Sequence, residues 1–135
     1  MAYMMKHAVD PREEIWKQVG DLSNFEVFHN KVLLAIYIRP EMTAGGILIT
    51  NKIRDEDKWQ GKVGLVLKTG PSAFVDDEGK WFKGMNVKVN DWLFCRPSDG
   101  WNMTLNNRET GDDILCRLID DTYLLGRLSH PDEIH

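Results

Sequence analysis

The stretch that decides the fold is FEVFHNKVLLAIYI, residues 25–38. It is rich in β-branched and aromatic residues, with one short polar break at His29-Asn30-Lys31. Side chains branched at Cβ lose rotamer freedom in a helix but pack well on a pleated sheet. The stretch therefore predicts a β-strand.

Further strand-like runs follow, separated by turn residues. KVGLVLKTG, residues 62–70, is closed by Gly70-Pro71, and VKVNDWLFCRP, residues 87–97, contains a turn at Asn90-Asp91 before an apolar run. DDILCRLIDDTYLLGRL, residues 112–128, has two apolar runs around Asp120-Asp121 and predicts a hairpin-like pair. Several short strands with turn chemistry between them predict an all-β fold, either a small barrel or a sandwich.

One short helix is predicted before the strands. Asp10 can cap the free N–H groups at a helix start, and Pro11 suits the first helical position. Glu13 completes an acidic variant of the capping box. The helix should run to about Val19 and stop at Gly20, burying one face made of Ile15, Trp16 and Val19.

Length and charge restrict the class of protein. The 135 residues suit one domain, and 42% hydrophobic with 28% charged residues is ordinary for a globular chain. A net charge of −4 argues against a nonspecific grip on nucleic acid. No apolar run is long enough to span a membrane, and the N-terminus lacks a secretory signal pattern. We expect a cytoplasmic protein with neither a nucleic acid nor a membrane partner.

The sequence contains no pattern that predicts catalysis. We find no nucleophile motif, no phosphate-binding loop and no carboxylate pair in a setting that favours acid–base chemistry. The acidic pairs Asp76-Asp77 and Asp120-Asp121 lie among turn-like residues, which predicts solvated turns. We therefore expect no enzyme activity, no catalytic residue and no cofactor.

Histidines and cysteines give no metal-binding pattern along the chain. The histidines stand at His7, His29, His130 and His135, without helical ligand spacing, and no cysteine pair completes a metal shell. We therefore expect no metal site. Cys95 and Cys116 lie inside apolar runs, which predicts buried, reduced thiols.

The segment MTAGGILIT, residues 42–50, places three large aliphatic residues directly after a glycine pair. On pattern alone ILIT fits a buried strand, and that alternative stays open. The glycine pair removes side-chain packing, and six of the ten residues 51–60 are charged, which is typical of a solvated loop. We interpret the segment as part of a long excursion between strands ending near Ile38 and beginning near Lys62. Excursions of that length are often functional.

These segments together resemble the GroES family of co-chaperonins over about residues 25–128. The resemblance rests on HNKVLL, AGGILIT, GKVGLVLKTG, VKVNDWLF and ILCRLIDDTYLLGRL. In that family the corresponding segments are the first strand, the mobile loop, the strand leading to the roof hairpin, a VKxGD turn and the closing strands. The glycine of that turn is Asn90 here, and asparagine also tolerates the left-handed backbone conformation.

The resemblance implies a fold and a function. The fold is a small, partly open GroES-like β-barrel at 25–128, preceded by an extension with a short helix at 1–24 and followed by a tail at 129–135. The function is that of a ring-shaped lid that binds a chaperonin and assists protein folding. The residues implied to dock on the chaperonin are Gly45, Gly46, Ile47, Leu48 and Ile49. Those implied at the tip of the roof hairpin are Asp76, Asp77 and Glu78.

The resemblance also implies partners. The chaperonin would be GroEL-like and nucleotide-bound, and the lid would be a ring of identical subunits, seven in this family. Edge strands of neighbouring subunits pair in such rings. The residues implied at that interface are Val32, Leu34, Ile36, Leu124, Leu125 and Leu128.

A structural protein is the alternative. The N-terminal helix, the tail and the tryptophans in loop-like contexts, Trp59, Trp81 and Trp101, are additions to a minimal co-chaperonin. They are compatible with a bacteriophage virion component, such as a subunit that decorates or stabilises the capsid, with the capsid protein as its partner. In that case the Gly-Gly-Ile-Leu-Ile segment is a clasp on a neighbouring subunit, and the location is the virion or the host cytoplasm.

Overall fold

In the computed structural model, residues 7, 9–40, 48, 60–76, 78–79 and 81–134 are described. Within these ranges the chain is mostly β, as predicted, with one short helix and six strands. The elements are α1 Pro11–Val19, β1 Lys31–Ile36, β2 Val63–Thr69, β3 Trp92–Phe94, β4 Trp101–Asn106, β5 Asp113–Asp120 and β6 Gly126–Leu128. Two short 3-10 helices, Asp121–Tyr123 and Pro131–Glu133, follow β5 and β6.

The six strands form one sheet in the order β4-β5-β1-β2-β3-β6. Every neighbouring pair is antiparallel. β4 and β6 are the two edges, and among the described residues they do not pair with each other. In these ranges the strands therefore form an open sheet that is not closed into a barrel, whereas the resemblance implied a partly open barrel.

Both faces of the sheet centre are covered. On one face, side chains such as Leu33, Leu65 and Trp92 share a buried cluster with residues of α1. On the other face, Val32 and Leu34 pack with partners that include residues of the segment after β2 and of the segment after β5. Because successive side chains of a strand point to opposite faces, a strand covered on both faces is apolar throughout. This explains the continuous apolar run VLLAI, residues 32–36, in β1.

The helix begins after Asp10 and ends at Gly20 as predicted, but the Asp10 side chain accepts the N–H of Arg12 and not that of Glu13, so the expected capping box is not formed. The bond from the Arg12 N–H to the Asp10 side chain is 2.8 Å long, and Gly20 ends the helix with φ of 76°. Ile15 and Val19 are buried in the same cluster as the centre of the sheet. The segment that we assigned to an extension at residues 1–24 therefore contributes to the core.

One strand was not predicted from the sequence. β4 has the sequence WNMTLN, and we had placed Trp101 in a loop-like context. β4 forms a hairpin with β5, closed where the Asn107 N–H donates to the Asp112 carbonyl at 2.8 Å. Met103 and Leu105 pack against the core cluster. The sequence pattern that indicates this strand is the strict alternation of Trp101, Met103 and Leu105 with polar residues.

The acidic pair Asp120-Asp121, at the end of β5, is not the hairpin tip that we expected. β6 pairs with β3 and not with β5. Asp121 is 3% exposed, and its carboxylate accepts the Phe74 N–H at 2.9 Å and an Asn30 side-chain N–H at 3.1 Å. The prediction of a solvated turn is wrong for Asp121, because this carboxylate anchors two chain segments on one face of the sheet. Its donors offset the cost of burying the group.

A buried arginine links the strands near the start of β2. Arg117 of β5 is fully buried, and its Nε donates to the Asn102 side chain at 2.9 Å. Its Nη1 donates to the Gly61 carbonyl at 2.9 Å and lies 3.3 Å from the Cys95 sulfur. These contacts tie β5 to β4, to the chain entering β2 and to the residue after β3.

Candidate functional site

The connection between β1 and β2 leaves and re-enters the sheet at one place. The two strands are antiparallel neighbours, with Ile36 opposite Gly64. The Tyr37 N–H donates to the Val63 carbonyl at 2.9 Å and so extends the pairing by one step. The segment that contains AGGILIT therefore begins at the end of β1 and ends at the start of β2, next to each other in the sheet. A connection held in this way can change in length or sequence without changing the sheet.

Leu48 is the one described residue between positions 41 and 59, and it is 68% exposed. It belongs to neither core cluster. Gly45, Gly46, Ile47 and Ile49 lie outside the described residues. A single exposed leucine is common on protein surfaces. What distinguishes Leu48 is its position in an apolar tripeptide of the sequence that connects β1 to β2.

The residues implied at the roof tip lie at a turn. The Gly79 N–H donates to the Asp76 carbonyl at 3.2 Å, and the Asp76 carboxylate accepts the Phe82 N–H at 3.1 Å. The rings of Phe74 and Phe82 meet edge to face, with centroids 5.6 Å apart. Glu78 is exposed, and Asp77 lies outside the described residues. The two sides of the turn thus contact each other, but the described residues from 71 to 91 contain no strand.

β1 does not offer the edge that we expected for subunit contacts. Val32, Leu34 and Ile36 are at most 3% exposed within a single chain. β1 pairs with β2 on one side and with β5 on the other. We predicted β1 as an edge strand, and this is corrected here: β1 is paired on both sides and packed on both faces within one chain.

The other predicted interface residues lie beside a true edge. β6 pairs only with β3, so its second side forms one edge of the sheet in the described chain. Leu128 is half-buried on β6, and Leu124 just before it is buried. Leu125 and Tyr123 are 57% and 45% exposed. Apolar side chains next to an unpaired strand edge favour pairing with another chain.

The opposite edge, β4, was missed by the sequence analysis. Trp101 at its start is 64% exposed. An exposed tryptophan on an edge strand is a second place where another chain could pair. The two edges are at opposite ends of the strand order, so one subunit can present a different edge to each of two neighbours.

The two thiols are buried and reduced, as predicted. Burial raises the pKa of the Cys116 thiol to about 12. Burial also raises the pKa of the Cys95 thiol, and the adjacent Arg117 guanidinium partly offsets this effect. Because the thiolate is the reactive form, neither residue is suited to act as a nucleophile at neutral pH.

The fold assembles a polar cluster from the two ends of the chain. Nε2 of His7 lies 3.2 Å from Oδ2 of Asp132, and Nδ1 of His130 lies 3.7 Å from the same oxygen. The Tyr37 hydroxyl donates to Oδ1 of Asp132. His7 and Asp132 are 125 positions apart. The expectation of no metal site rested on spacing along the chain, and no local motif could have revealed this group, whose side chains are of the kind that hold a metal ion.

Comparisons with known proteins do not assign this chain to a family. No protein-family model matches it, and a search of curated proteins finds no relative. Within the described ranges, no helix has the length and apolar character required to cross a membrane.

Proposed function

We propose that this chain is a co-chaperonin of the GroES type, a subunit of a ring that covers a chaperonin and docks through Gly45, Gly46, Ile47, Leu48 and Ile49. The observation that carries the proposal is the exposure of Leu48 on a connection that starts and ends at two adjacent strands. In this proposal the exposed Leu48 side chain is available to a partner.

The energetics of one docking segment favour a weak contact. Burying a large aliphatic side chain contributes about 1.5–3 kcal/mol. Ordering the backbone of a flexible segment costs about 1–2 kcal/mol per residue, which offsets much of that gain. A single chain therefore binds weakly. A ring converts every docking event after the first into an intramolecular one, so the contacts together give tight but reversible capture.

The ring in this proposal uses the two sheet edges. β6, with Leu125 and Tyr123 beside it, pairs with an edge of the next subunit, and β4 with Trp101 is the complementary edge. Such head-to-tail contacts close into a ring when the rotation between neighbouring subunits is a whole-number fraction of a full turn. The resemblance implies seven subunits. Edge pairing also removes the aggregation hazard of two open edges.

Co-migration with a chaperonin tests the proposal. The untagged protein is mixed with a GroEL-type double ring and nucleotide and separated by size-exclusion chromatography. We expect the wild-type protein to co-elute with the chaperonin in the presence of nucleotide. Leu48→Asp should lose co-elution, because docking would have to desolvate a charge.

Val75→Asp is the matched control. Val75 is 66% exposed, close to the value for Leu48, but it lies in the segment after β2 that leads to the roof turn. Its substitution adds the same charge to another exposed apolar site and should leave co-elution intact. Equal loss in both variants, or no co-elution of the wild type, would contradict the docking proposal. Self-assembly without chaperonin binding would instead favour the virion subunit.

A further inference from the structure

We infer that His7, His130 and Asp132 form a binding site for one divalent transition-metal ion, with Zn²⁺ as the natural probe. The site joins His7, which lies upstream of α1, to His130 and Asp132 at the start of the 3-10 helix Pro131–Glu133. This inference does not rest on the proposed function, since it uses different residues and predicts a different ligand.

The separations between the ligand atoms match the requirement of a metal ion. Candidate ligand atoms of the three residues all lie within 4.8 Å of one another. Two atoms bound tetrahedrally about 2.1 Å from Zn²⁺ are about 3.4 Å apart. The distances from Oδ2 of Asp132 to His7 Nε2 and His130 Nδ1 are 3.2 and 3.7 Å. Small side-chain movements would therefore complete three ligand positions.

The carboxylate is held in place by other groups. The Asp132 side chain is fully buried, and its Oδ1 accepts the Tyr37 hydroxyl. The Tyr37 ring in turn packs edge to face against buried Trp92, with centroids 5.7 Å apart. In metal sites the ligands are usually held in position by hydrogen bonds to neighbouring groups that are themselves fixed. Oδ2 of Asp132 faces the two imidazoles.

The donor set selects the class of ion. Two imidazoles and one carboxylate suit Zn²⁺ and its divalent transition-metal neighbours, whereas Mg²⁺ and Ca²⁺ prefer sites made of oxygen. The His130 side chain is 36% exposed, so an ion can approach from solvent. Nδ1 of His130 accepts the Asp132 N–H at 3.2 Å in the metal-free arrangement. An ion that takes this lone pair replaces the hydrogen bond with a stronger metal–nitrogen bond.

Calorimetric titration of the untagged, chelator-treated full chain with Zn²⁺ tests the inference. We expect saturable binding of one ion per chain and a higher thermal midpoint with the ion bound. Co²⁺ should give the visible absorption bands of nitrogen and oxygen coordination. His7→Gln keeps a polar side chain but removes the ligand, and it should weaken Zn²⁺ binding about tenfold or more. Asp132→Asn should have an effect of the same direction, and circular dichroism checks that each variant folds without metal.

His29→Asn is the matched control. His29 is exposed with φ of 56°, and asparagine tolerates that backbone conformation. It removes an imidazole elsewhere, so Zn²⁺ affinity should be unchanged. Absence of saturable Zn²⁺ binding, unchanged affinity in folded His7→Gln, or a thiolate-to-cobalt absorption band would each overturn the assignment. The last result would point to the cysteines as ligands.

Discussion

Leu48→Asp should leave the stability of the fold nearly unchanged. Leu48 is 68% exposed, so about one third of its side chain is covered. Full burial of a leucine contributes about 1.5–3 kcal/mol, so the covered third accounts for at most about 1 kcal/mol. The new carboxylate remains accessible to water at this level of exposure. We therefore expect a loss of about 1 kcal/mol or less in the free energy of unfolding.

Leu34→Ala provides the comparison for a buried leucine. Leu34 is 0% exposed at the centre of the sheet, and truncation at such a site costs about 2–5 kcal/mol. Urea denaturation at one fixed protein concentration measures both variants, because subunit association makes apparent stability depend on concentration. The midpoint should shift strongly for Leu34→Ala and little for Leu48→Asp, with similar slopes. A loss of about 3 kcal/mol or more in Leu48→Asp would show that the tripeptide is core and refute the reasoning.

Three further predictions concern the helix and a buried thiol. Asp10→Ala removes the cap on the Arg12 N–H and should cost about 1 kcal/mol in urea denaturation, whereas no measurable loss would mean that the cap is dispensable. Ile15→Ala should lower the free energy of unfolding by about 2–5 kcal/mol, because Ile15 is buried against the sheet. Glu13→Ala, at an exposed position of the same helix, is the control. Similar losses in the two variants would show that α1 does not pack on the sheet. Burial raises the pKa of Cys116 from 9.0 to about 12, so the folded chain keeps the thiol protonated where the unfolded chain ionises. The contribution of this thiol to the free energy of unfolding is constant below about pH 9 and decreases between about pH 9 and pH 12, by at most about 1.4 kcal/mol per pH unit. In Cys116→Ala the free energy of unfolding should therefore fall less steeply with pH in this range. An unchanged slope in that variant would exclude this explanation.

Local signals predicted the elements whose boundaries are set by a few residues. The cap at Asp10 and the stop at Gly20 defined α1, and the predicted turn at Asn90-Asp91 precedes β3, with Asn90 at φ of 80°. In each case a short side chain or a permissive backbone conformation decides the outcome within three or four residues. Tertiary contacts were not needed to find these elements.

The order of strands could not be predicted in the same way, because pairing joins residues far apart in the sequence. We placed β1 at an edge, although its continuous apolar run indicates a strand covered on both faces, which favours the interior of a sheet. β4 was missed because we placed Trp101 in a loop-like context and overlooked the alternation of Trp101, Met103 and Leu105 with polar residues, which is a strand pattern. Its pairing with β5, by contrast, joins residues that the pattern alone does not connect.

The two candidate sites differ in the same respect, since one consists of neighbouring residues and the other of residues that are far apart in the sequence. The proposed docking segment is a run of neighbouring residues, so the sequence alone could indicate it. The cluster of His7, His130 and Asp132 exists only after folding brings the chain ends together beside Tyr37. The buried role of Asp121 likewise depends on Phe74 and Asn30, which are distant in sequence.

A chaperonin-dependent refolding assay tests the central claim most directly. A denatured enzyme that refolds only with a GroEL-type chaperonin, its lid and ATP is diluted into mixtures in which this protein replaces the lid. We predict recovery of enzyme activity with the wild-type protein and with Val75→Asp, and no recovery with Leu48→Asp. A wild-type protein that assembles into rings, yet gives no more recovery than chaperonin and ATP alone, would contradict the account.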